Sequence, residues 1–359
     1  MSDRLVGLAR NPWARGLLVL AVLAAAILAI WLRGPEWGAV VDAFDAVTWR
    51  WVIVAVLLNL LSTLARSLSW RLTINQALPE PHPSFGQVFS AFGVGLLGNA
   101  VLPARAGELA RVAVLRRHLP RHGKGTSATL FGTVFAHRLF DLPPVTILVV
   151  WVLLTAKIPH WAVTSLVIFG LIGVALLMIG LLSARTGGGR IHDGMGTLRG
   201  LVLMARQGLA VLRRPVPALG AIFFQCVGWL MQLLAVWAVM EAFNLDLPLP
   251  AAGLVLVLMN VAIIFPLWPG NVGLLQAAVA IPLGQYGVAY ATGFAYGLVL
   301  QAVEMSVGVG VGLVFLAREG LSLASLKTME EEQESEENAL LSEEERESEV
   351  GQKVTRAAG

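Results

Sequence analysis

The amino-acid sequence predicts an all-α, polytopic membrane protein with about six full transmembrane helices and two re-entrant broken-helix hairpins, arranged as an inverted repeat. Of its 359 residues, 57% are hydrophobic and 14% are charged, whereas a soluble domain carries about 25% charged residues. The apolar residues also come in long runs, and a run of about 18 or more can cross the hydrocarbon core as a helix. Composition therefore excludes an ordinary soluble globule.

Eight apolar segments follow one another along the chain. The first segment comes after three arginines and resembles a signal peptide, but it continues to Arg33 without a small-x-small cleavage site. This favours an uncleaved first span. The segments cover residues 16–32, 51–69, 84–102, 127–155, 161–183, 216–240, 251–267 and 288–317.

The lysine and arginine residues of the short connections orient these segments. Residues 103–125 and 184–215 are richly basic, as is the N-terminus, so the positive-inside rule places all three in the cytoplasm. Eight full crossings would put residues 103–125 outside. The conflict disappears if residues 84–117 dip in from the cytoplasm and return. The last span then runs inward, and both termini are cytoplasmic.

Glycine and proline mark where each predicted hairpin breaks. The first hairpin is interrupted by Gly93, Gly95 and Gly98 and breaks at Asn99 and Pro103. The second resembles it, because residues 251–267 end in a proline- and glycine-rich stretch before an apolar helix resumes. Broken backbone at membrane depth is tolerated only where protein or a water-filled cavity surrounds it.

The predicted order is two spans, a hairpin and one span, repeated once in the opposite orientation. Such inverted repeats place a substrate site where the two breaks meet. We therefore expect residues 1–320 to form one transmembrane domain. Residues 321–359 are expected to form a disordered, acidic cytoplasmic tail, since eleven of the 23 acidic residues lie between Glu330 and Glu349. The sequence leaves open whether this tail regulates the protein or is only a solvated extension.

The densest group of candidate functional residues lies at the first break. An ionisable group inside a bilayer costs about 2.5 kcal/mol or more, so it needs a partner, water or a function. Glu108 and Arg111 are three residues apart and can pair. A helix beginning near Gly107 and the planar fork of Arg105 would both attract an anion. We predict a lipid head-group site here, with the alternative of a juxtamembrane segment whose charges pair among themselves.

Further ionisable residues fall inside other segments. Arg138 and Asp141 follow His137, and they form either an intrahelical ion pair or part of the head-group site. Arg66 is expected to snorkel toward the cytoplasmic interface. Glu304 is the one mid-span acidic residue of the second half, and we predict that it relays protons.

Metal and disulfide chemistry have little support in the sequence. The chain has one cysteine, Cys226, and six histidines that show no zinc-ligand spacing. We expect no metal, no cofactor and no nucleic-acid partner. The expected partners are membrane lipids, above all anionic ones, and the sequence leaves the oligomeric state open.

Three motifs follow one another along the chain: Pro103-x-Arg105-x-Gly107-Glu108-x-x-Arg111-x-x-x-Leu115, Arg138-x-x-Asp141 and Pro266-x-x-Pro269-Gly270-x-x-Gly273. In this order they resemble the lysylphosphatidylglycerol synthase transmembrane region, a flippase-like family, over about residues 15–318. The resemblance implies lipid translocation between leaflets, without the aminoacylation reaction of a large soluble domain for which this chain has no room. The chain departs from the family at Gln276, where members often carry glutamate, and at Gln301 or Glu304, where members often carry arginine.

The predicted function is a lipid flippase or transporter that moves an anionic or glycosylated lipid across the bacterial cytoplasmic membrane. One alternative is an integral-membrane transferase acting on a lipid-linked substrate, with Glu108, His137 or Asp141 as its base. Another is a scaffold that binds a membrane partner through the acidic tail.

Overall fold

The computed structural model describes residues 35–101, 107–119, 126–158, 163–164, 215–264 and 271–320. All regular secondary structure in these ranges is helical, which confirms the predicted fold class. The predicted first span, nearly all of the fifth and the acidic tail lie outside the described residues. The helices are α1 Trp37–Asp45, α2 Trp49–Ala77, α3 Phe85–Val101, α4 Gly107–His118, α5 Thr126–Leu139, α6 Leu142–Thr155, α7 Pro215–Ala242, α8 Leu249–Ile264, α9 Leu274–Leu283 and α10 Tyr290–Arg318, with a 3₁₀ turn at Gly284–Tyr286.

Four helical stretches among the described residues are long and apolar enough to cross a membrane. They contain 27 to 29 residues and have mean hydropathies of 1.6 to 1.9, whereas a span needs about 20 predominantly apolar residues. The chain is therefore a multi-pass membrane protein. These stretches are Trp49–Ala77 in α2, Thr129–Thr155 across α5 and α6, Val216–Ala242 in α7 and Tyr290–Arg318 in α10.

Helices α3 and α4 form an antiparallel hairpin, hairpin 1, whose arms touch through glycine. A Cβ atom added to Gly98 would lie 2.7 Å from the Cα atom of Gly107, and one added to Gly95 would lie 2.9 Å from the Gly107 carbonyl oxygen. Larger residues would hold the arms apart. The predicted break at Pro103 and Arg105 falls in residues 102–106, which lie outside the described ranges.

Helices α8 and α9 form the corresponding hairpin 2. Before α9, Asn271 and Gly273 have φ angles of 46° and 91°, the left-handed region that glycine and asparagine tolerate best. The Asn271 side-chain amide donates to the Ala262 carbonyl oxygen of α8 at 3.3 Å, which ties the turn to the first arm. The predicted break residues Pro266, Pro269 and Gly270 lie outside the described residues.

The two long helices α2 and α7 pack antiparallel along much of their length. The hydroxyl of Ser62 donates to the Gly228 carbonyl oxygen at 2.7 Å, and that of Ser69 donates to the Ala221 carbonyl oxygen at 2.9 Å. Seven residues forward along α2 therefore correspond to seven residues backward along α7. Small polar residues that bond across such an interface let the two backbones approach closely.

The remaining contacts repeat in the two halves. Hairpin arm α3 packs on the last span α10, and arm α8 packs on α6; α4 packs on α5, and α9 packs on α10. Because the central pair α2 and α7 is antiparallel, the described helices have the arrangement expected of an inverted repeat.

The two hairpins open toward opposite ends of α10. Hairpin 1 opens near its C-terminal end, where the Ser90 hydroxyl of α3 donates to the Glu319 carboxylate at 2.6 Å. Hairpin 2 lies at the N-terminal half, where a Cβ atom on Gly293 would lie 2.9 Å from the Cα atom of Ala280 in α9. A span with a hairpin entering from each end brings the tips of both hairpins toward its middle.

Candidate functional site

Hairpin 1 presents a carboxylate between two arginines. Glu108, in the first turn of α4, forms ion pairs with Arg111 on the same helix and with Arg138 at the end of α5. The side chains differ in exposure: Arg111 is 4% exposed, Glu108 21% and Arg138 46%. The structure thus brings three predicted site residues together, and Arg138 is the member that a ligand can reach.

Arg111 is held by aromatic rings as well as by charge. Its guanidinium carbon lies 4.7 Å from the ring centre of Trp70 and 5.6 Å from that of Phe92, within the range of cation–π attraction. The Trp70 indole N–H donates to the Thr133 hydroxyl at 3.1 Å, which fixes the ring. The Nε atom of Arg111 has no hydrogen-bond partner among the described residues.

Asp141 lies at the junction of α5 and α6, where the chain turns between two helices. Prolines at the start of α6 end the α5 hydrogen-bond ladder there. The Asp141 carboxylate accepts hydrogen bonds from the Gln225 side-chain amide and, at 2.8 Å, from the Trp229 indole N–H. Its other oxygen lies 3.5 Å from an Arg138 guanidinium nitrogen. Asp141 is therefore fixed by α7 and also linked to hairpin 1 through Arg138.

Arg66 departs from its expected position. The prediction that it snorkels to the interface is wrong, because its side chain turns across to α7. Its Nη2 atom donates to the Gln232 side-chain oxygen at 2.6 Å, and its guanidinium carbon lies 4.9 Å from the centre of the Trp229 ring. Gly228 leaves room for the stem, since a Cβ atom there would lie 2.8 Å from the Arg66 Cγ atom.

Gln232 extends the polar contacts to the last span. Its side-chain nitrogen donates to the Glu304 carboxylate of α10 at 3.3 Å, while its oxygen accepts from Arg66. Glu304, which the sequence predicts to be a functional residue, is therefore connected to the cluster around Glu108. The resulting series of neighbouring polar and aromatic groups, named the polar path here, comprises Glu108, Arg138, Asp141, Trp229, Arg66, Gln232 and Glu304.

The contribution of α7 is not among the predictions from the sequence. A signal was present in the sequence. Gln225, Trp229 and Gln232 follow one another at spacings of four and three residues, which places them on one face of a helix. That face meets both Asp141 and Arg66 in the folded protein.

Gln276 of hairpin 2 makes its hydrogen bonds within the second half. It is fully buried, accepts from the Gly273 backbone N–H at 2.6 Å, and donates to the Gln301 side-chain oxygen of α10 at 2.7 Å. An amide therefore stabilises the start of α9 and joins it to the last span. Within the described ranges, no cluster of three or more His, Cys, Asp or Glu side chains could hold a metal ion.

Replacing Trp229 tests whether its indole N–H fixes Asp141. Trp229→Phe keeps a ring beside Arg66 but removes the donor, and we expect the free energy of unfolding to fall by about 1.5–3 kcal/mol, the range for a hydrogen bond to a charged group. Reversible unfolding in mixed micelles measures the loss. The control Trp237→Phe alters an indole on the same helix that packs edge-on against Trp51; an equal loss in both variants would contradict the assignment.

Comparison with known proteins identifies the family of the chain. Residues 16–312 match the family described as the lysylphosphatidylglycerol synthase TM region. The chain is also 24% identical over 165 residues to the UPF0104 membrane protein PH1989 of Pyrococcus horikoshii, which covers 45% of this chain and 47% of that protein. The match thus spans about half the length of that relative. No solved structure matches the chain. The family match includes both hairpins and most of the last span, and the chain belongs to the lysylphosphatidylglycerol synthase transmembrane-region family.

Proposed function

We propose that this protein is a lipid flippase that moves an anionic or glycosylated lipid between the leaflets of its membrane. The observation that supports this proposal most directly is the polar path from hairpin 1 to the last span. Polar and ionisable groups are expensive inside a bilayer, and they mark substrate or ion pathways in many membrane proteins. A lipid head group faces the same cost, and a series of polar partners would lower it.

The proposed entry point is the cluster around Glu108. Arg138 is half-exposed and offers a planar donor fork, which suits the phosphate of an anionic head group. Glu108 and Asp141 would hold this arginine in place for the ligand. Gly107 lets the hairpin arms approach, so that Arg111 lies behind the carboxylate. We propose that Arg105, at the break just before α4, adds a further donor.

Hairpin 2 is proposed to complete the route from the opposite side. Its break at Pro266, Pro269, Gly270 and Gly273 would face the first cluster, and Gln276 would hold the second arm against α10. This half offers amides instead of charges at Gln276 and Gln301. It would therefore contact a head group without trapping it by ion pairing.

Glu304 is proposed to relay protons during transport. Among the described residues, its carboxylate accepts one hydrogen bond, from the Gln232 amide at 3.3 Å, and no lysine or arginine forms an ion pair with it within 4.0 Å. A proton could therefore be taken up there without breaking an ion pair.

The proposed location is the bacterial cytoplasmic membrane, with both termini in the cytoplasm. The positive-inside rule and the basic connections of the sequence support this orientation. In that orientation hairpin 1 would open toward the cytoplasm, because its open end lies beside Glu319 at the end of the last span. The tail would then extend from the same side.

The alternative of a lipid-linked transferase has weaker geometric support. His137 is 1% exposed and packs edge-on against Phe92, which leaves its ring out of reach of a substrate. Glu108 is held by two arginines, and Asp141 accepts two hydrogen bonds and lies close to Arg138. A general base needs a free position beside the reacting proton, and these carboxylates lack one.

Translocation in liposomes tests the proposal. The full chain is reconstituted, a panel of head-group-labelled lipids is added, and the outer leaflet is quenched chemically. We expect one lipid class to cross faster than in empty vesicles, and we expect Arg138→Gln and Arg105→Ala to slow it at least tenfold. Arg117→Gln is the control, since Arg117 is exposed near the end of α4. Undiminished transport in both site variants would refute the site assignment, and no acceleration of any lipid would count against the function.

Deleting residues 328–359 separates the flippase from the scaffold alternative. A flippase with its route in residues 1–320 is expected to transport at a rate close to that of the full chain. A protein that acts through its acidic tail would lose its activity in cells while its fold survived.

A further inference from the structure

Arg66 occupies an unusual position for a charged residue. It lies 17 residues after the start of α2 and 11 before its end, about 16 Å from the nearer end at 1.5 Å per residue. A guanidinium carries five N–H donors, accepts nothing and stays charged. Among the described residues, its guanidinium contacts only the Gln232 side-chain oxygen and the face of Trp229. Most of its N–H donors therefore have no partner in this part of the chain.

No carboxylate among the described residues forms a direct ion pair with Arg66. Asp141 and Glu304 are its acidic neighbours on the polar path, but neither lies within 4.0 Å of its guanidinium nitrogens. Two side chains, Trp229 and Gln232, lie between Arg66 and these carboxylates. Trp229 donates its N–H to Asp141 while its ring faces Arg66, and Gln232 separates Arg66 from Glu304.

Because the Arg66 guanidinium is charged and lies inside a membrane domain, its remaining N–H donors are suited to bind an anion. We propose that Arg66 is a second binding station on the polar path and that it binds the phosphate group of a lipid during translocation. This inference rests on the proposed flippase function and deepens it. Arg138 would hold the head group at hairpin 1, and Arg66 would hold it where α2, α7 and α10 meet.

Gln232 is suited to exchange partners with this phosphate. Its side-chain oxygen accepts from Arg66, and its nitrogen donates to Glu304. An incoming phosphate oxygen would replace the amide oxygen on Arg66, because a charged acceptor forms a hydrogen bond about twice as strong as a neutral one. Gln232 would keep its bond to Glu304, so binding would leave no carboxylate without its donor.

The geometry around Arg66 also predicts which lipids the station selects. Trp229 covers one face of the guanidinium, which leaves the in-plane N–H groups for a ligand. Phosphate oxygens match this planar fork and can accept two parallel bonds. Sugar hydroxyls are neutral acceptors and gain less. We therefore expect Arg66 to distinguish lipids that carry phosphate from lipids that carry only sugar.

Native mass spectrometry of the delipidated full chain tests this directly. Two probe lipids are titrated: phosphatidylglycerol, and a phosphate-free diglucosyl diacylglycerol. In the Arg138→Gln background, which removes the station at hairpin 1, we expect Arg66→Gln to weaken binding of the phospholipid at least tenfold and to leave binding of the glycolipid within a factor of two. Arg66→Lys should weaken phospholipid binding less, since it keeps the charge. The control Arg71→Gln removes an arginine on the same helix that bonds to the Pro83 carbonyl oxygen and should match the unaltered chain.

A further titration asks whether the station takes phosphate from a lipid or from solution. If inorganic phosphate displaces phosphatidylglycerol from the unaltered chain but has no effect on Arg66→Gln, the station recognises phosphate itself. If it displaces nothing, the acyl chains are needed as well, and the ligand is a lipid. Both results agree with a phosphate station at Arg66.

Two outcomes would overturn the inference. Arg66→Gln could bind phosphatidylglycerol as tightly as the unaltered chain, or it could lose both lipids together with its thermal stability, which would make Arg66 a structural residue. Failure of the proposed function gives a different result. Arg66-dependent phospholipid binding without any translocation in liposomes would leave a protein that binds lipid phosphate but does not flip it.

Discussion

Replacing Glu108 with glutamine is expected to lower the free energy of unfolding by about 3–5 kcal/mol, the range for removing one partner of a buried ion pair, and to abolish translocation. Glu108 is the carboxylate that pairs with both Arg111 and Arg138. Arg111 is 4% exposed, so loss of this partner leaves a buried charge. Equilibrium unfolding in mixed micelles gives the stability, and the liposome assay gives the transport rate.

A double variant separates the effect on stability from the effect on transport. Glu108→Gln combined with Arg111→Met removes both buried charges, and such apolar replacements often restore stability. We expect stability to recover while translocation stays lost, because Arg138 no longer has its carboxylate. The exposed Glu80 supplies the single-site control, Glu80→Gln. If transport returned with stability, Glu108 would have a structural role only.

The second large effect is expected at Gly107. A Cβ atom there would overlap the Gly95 carbonyl oxygen and approach within 2.7 Å of the Asn99 backbone and side chain. The obstacle includes backbone, which cannot rotate away. We expect Gly107→Ala to cost about 3 kcal/mol or more, at the upper end of core overpacking, and to separate the arms of hairpin 1. Thermal unfolding and the liposome assay measure the two consequences.

Gly86 provides the matched control on the same hairpin. A Cβ atom at Gly86 meets nothing within 4 Å, so Gly86→Ala should be neutral or stabilise α3 by up to about 1 kcal/mol, the difference in helix propensity. The two alanine substitutions are therefore expected to have opposite signs. A loss of stability of the same size at both positions would mean that glycine flexibility, and not close packing, matters in hairpin 1.

Much of the fold could be predicted because membrane helices leave strong local signals. Gly95 and Gly98 interrupt an apolar run, and in the structure they are the positions where α3 meets α4. The pairs Glu108–Arg111 and Arg138–Asp141 follow from a spacing of three residues. In each case the relevant partner lies close by in the sequence.

The contacts that assemble the site depend on tertiary structure. Glu108 and Arg138 are 30 residues apart, and Arg66 is 166 residues from Gln232. Helical periodicity shows which face a side chain lies on, but it does not show which helix will pack against that face. Arg66 was therefore assigned to the interface, because the sequence around it contains no partner for its charge.

The antiparallel pairing of α2 with α7 has a consequence for biosynthesis. Helix α2 ends at Ala77 and α7 begins at Pro215. At about 5–20 residues per second, the ribosome needs roughly 10 s to half a minute to make the missing partner after α2 has emerged. During that interval the insertion machinery has to hold a helix that carries an unshielded arginine. Until α7 is made, α2 is an apolar helix with a charged side chain that has no partner on a neighbouring helix. A chaperone or translocon subunit that retains such helices is therefore expected to raise the yield of the folded protein.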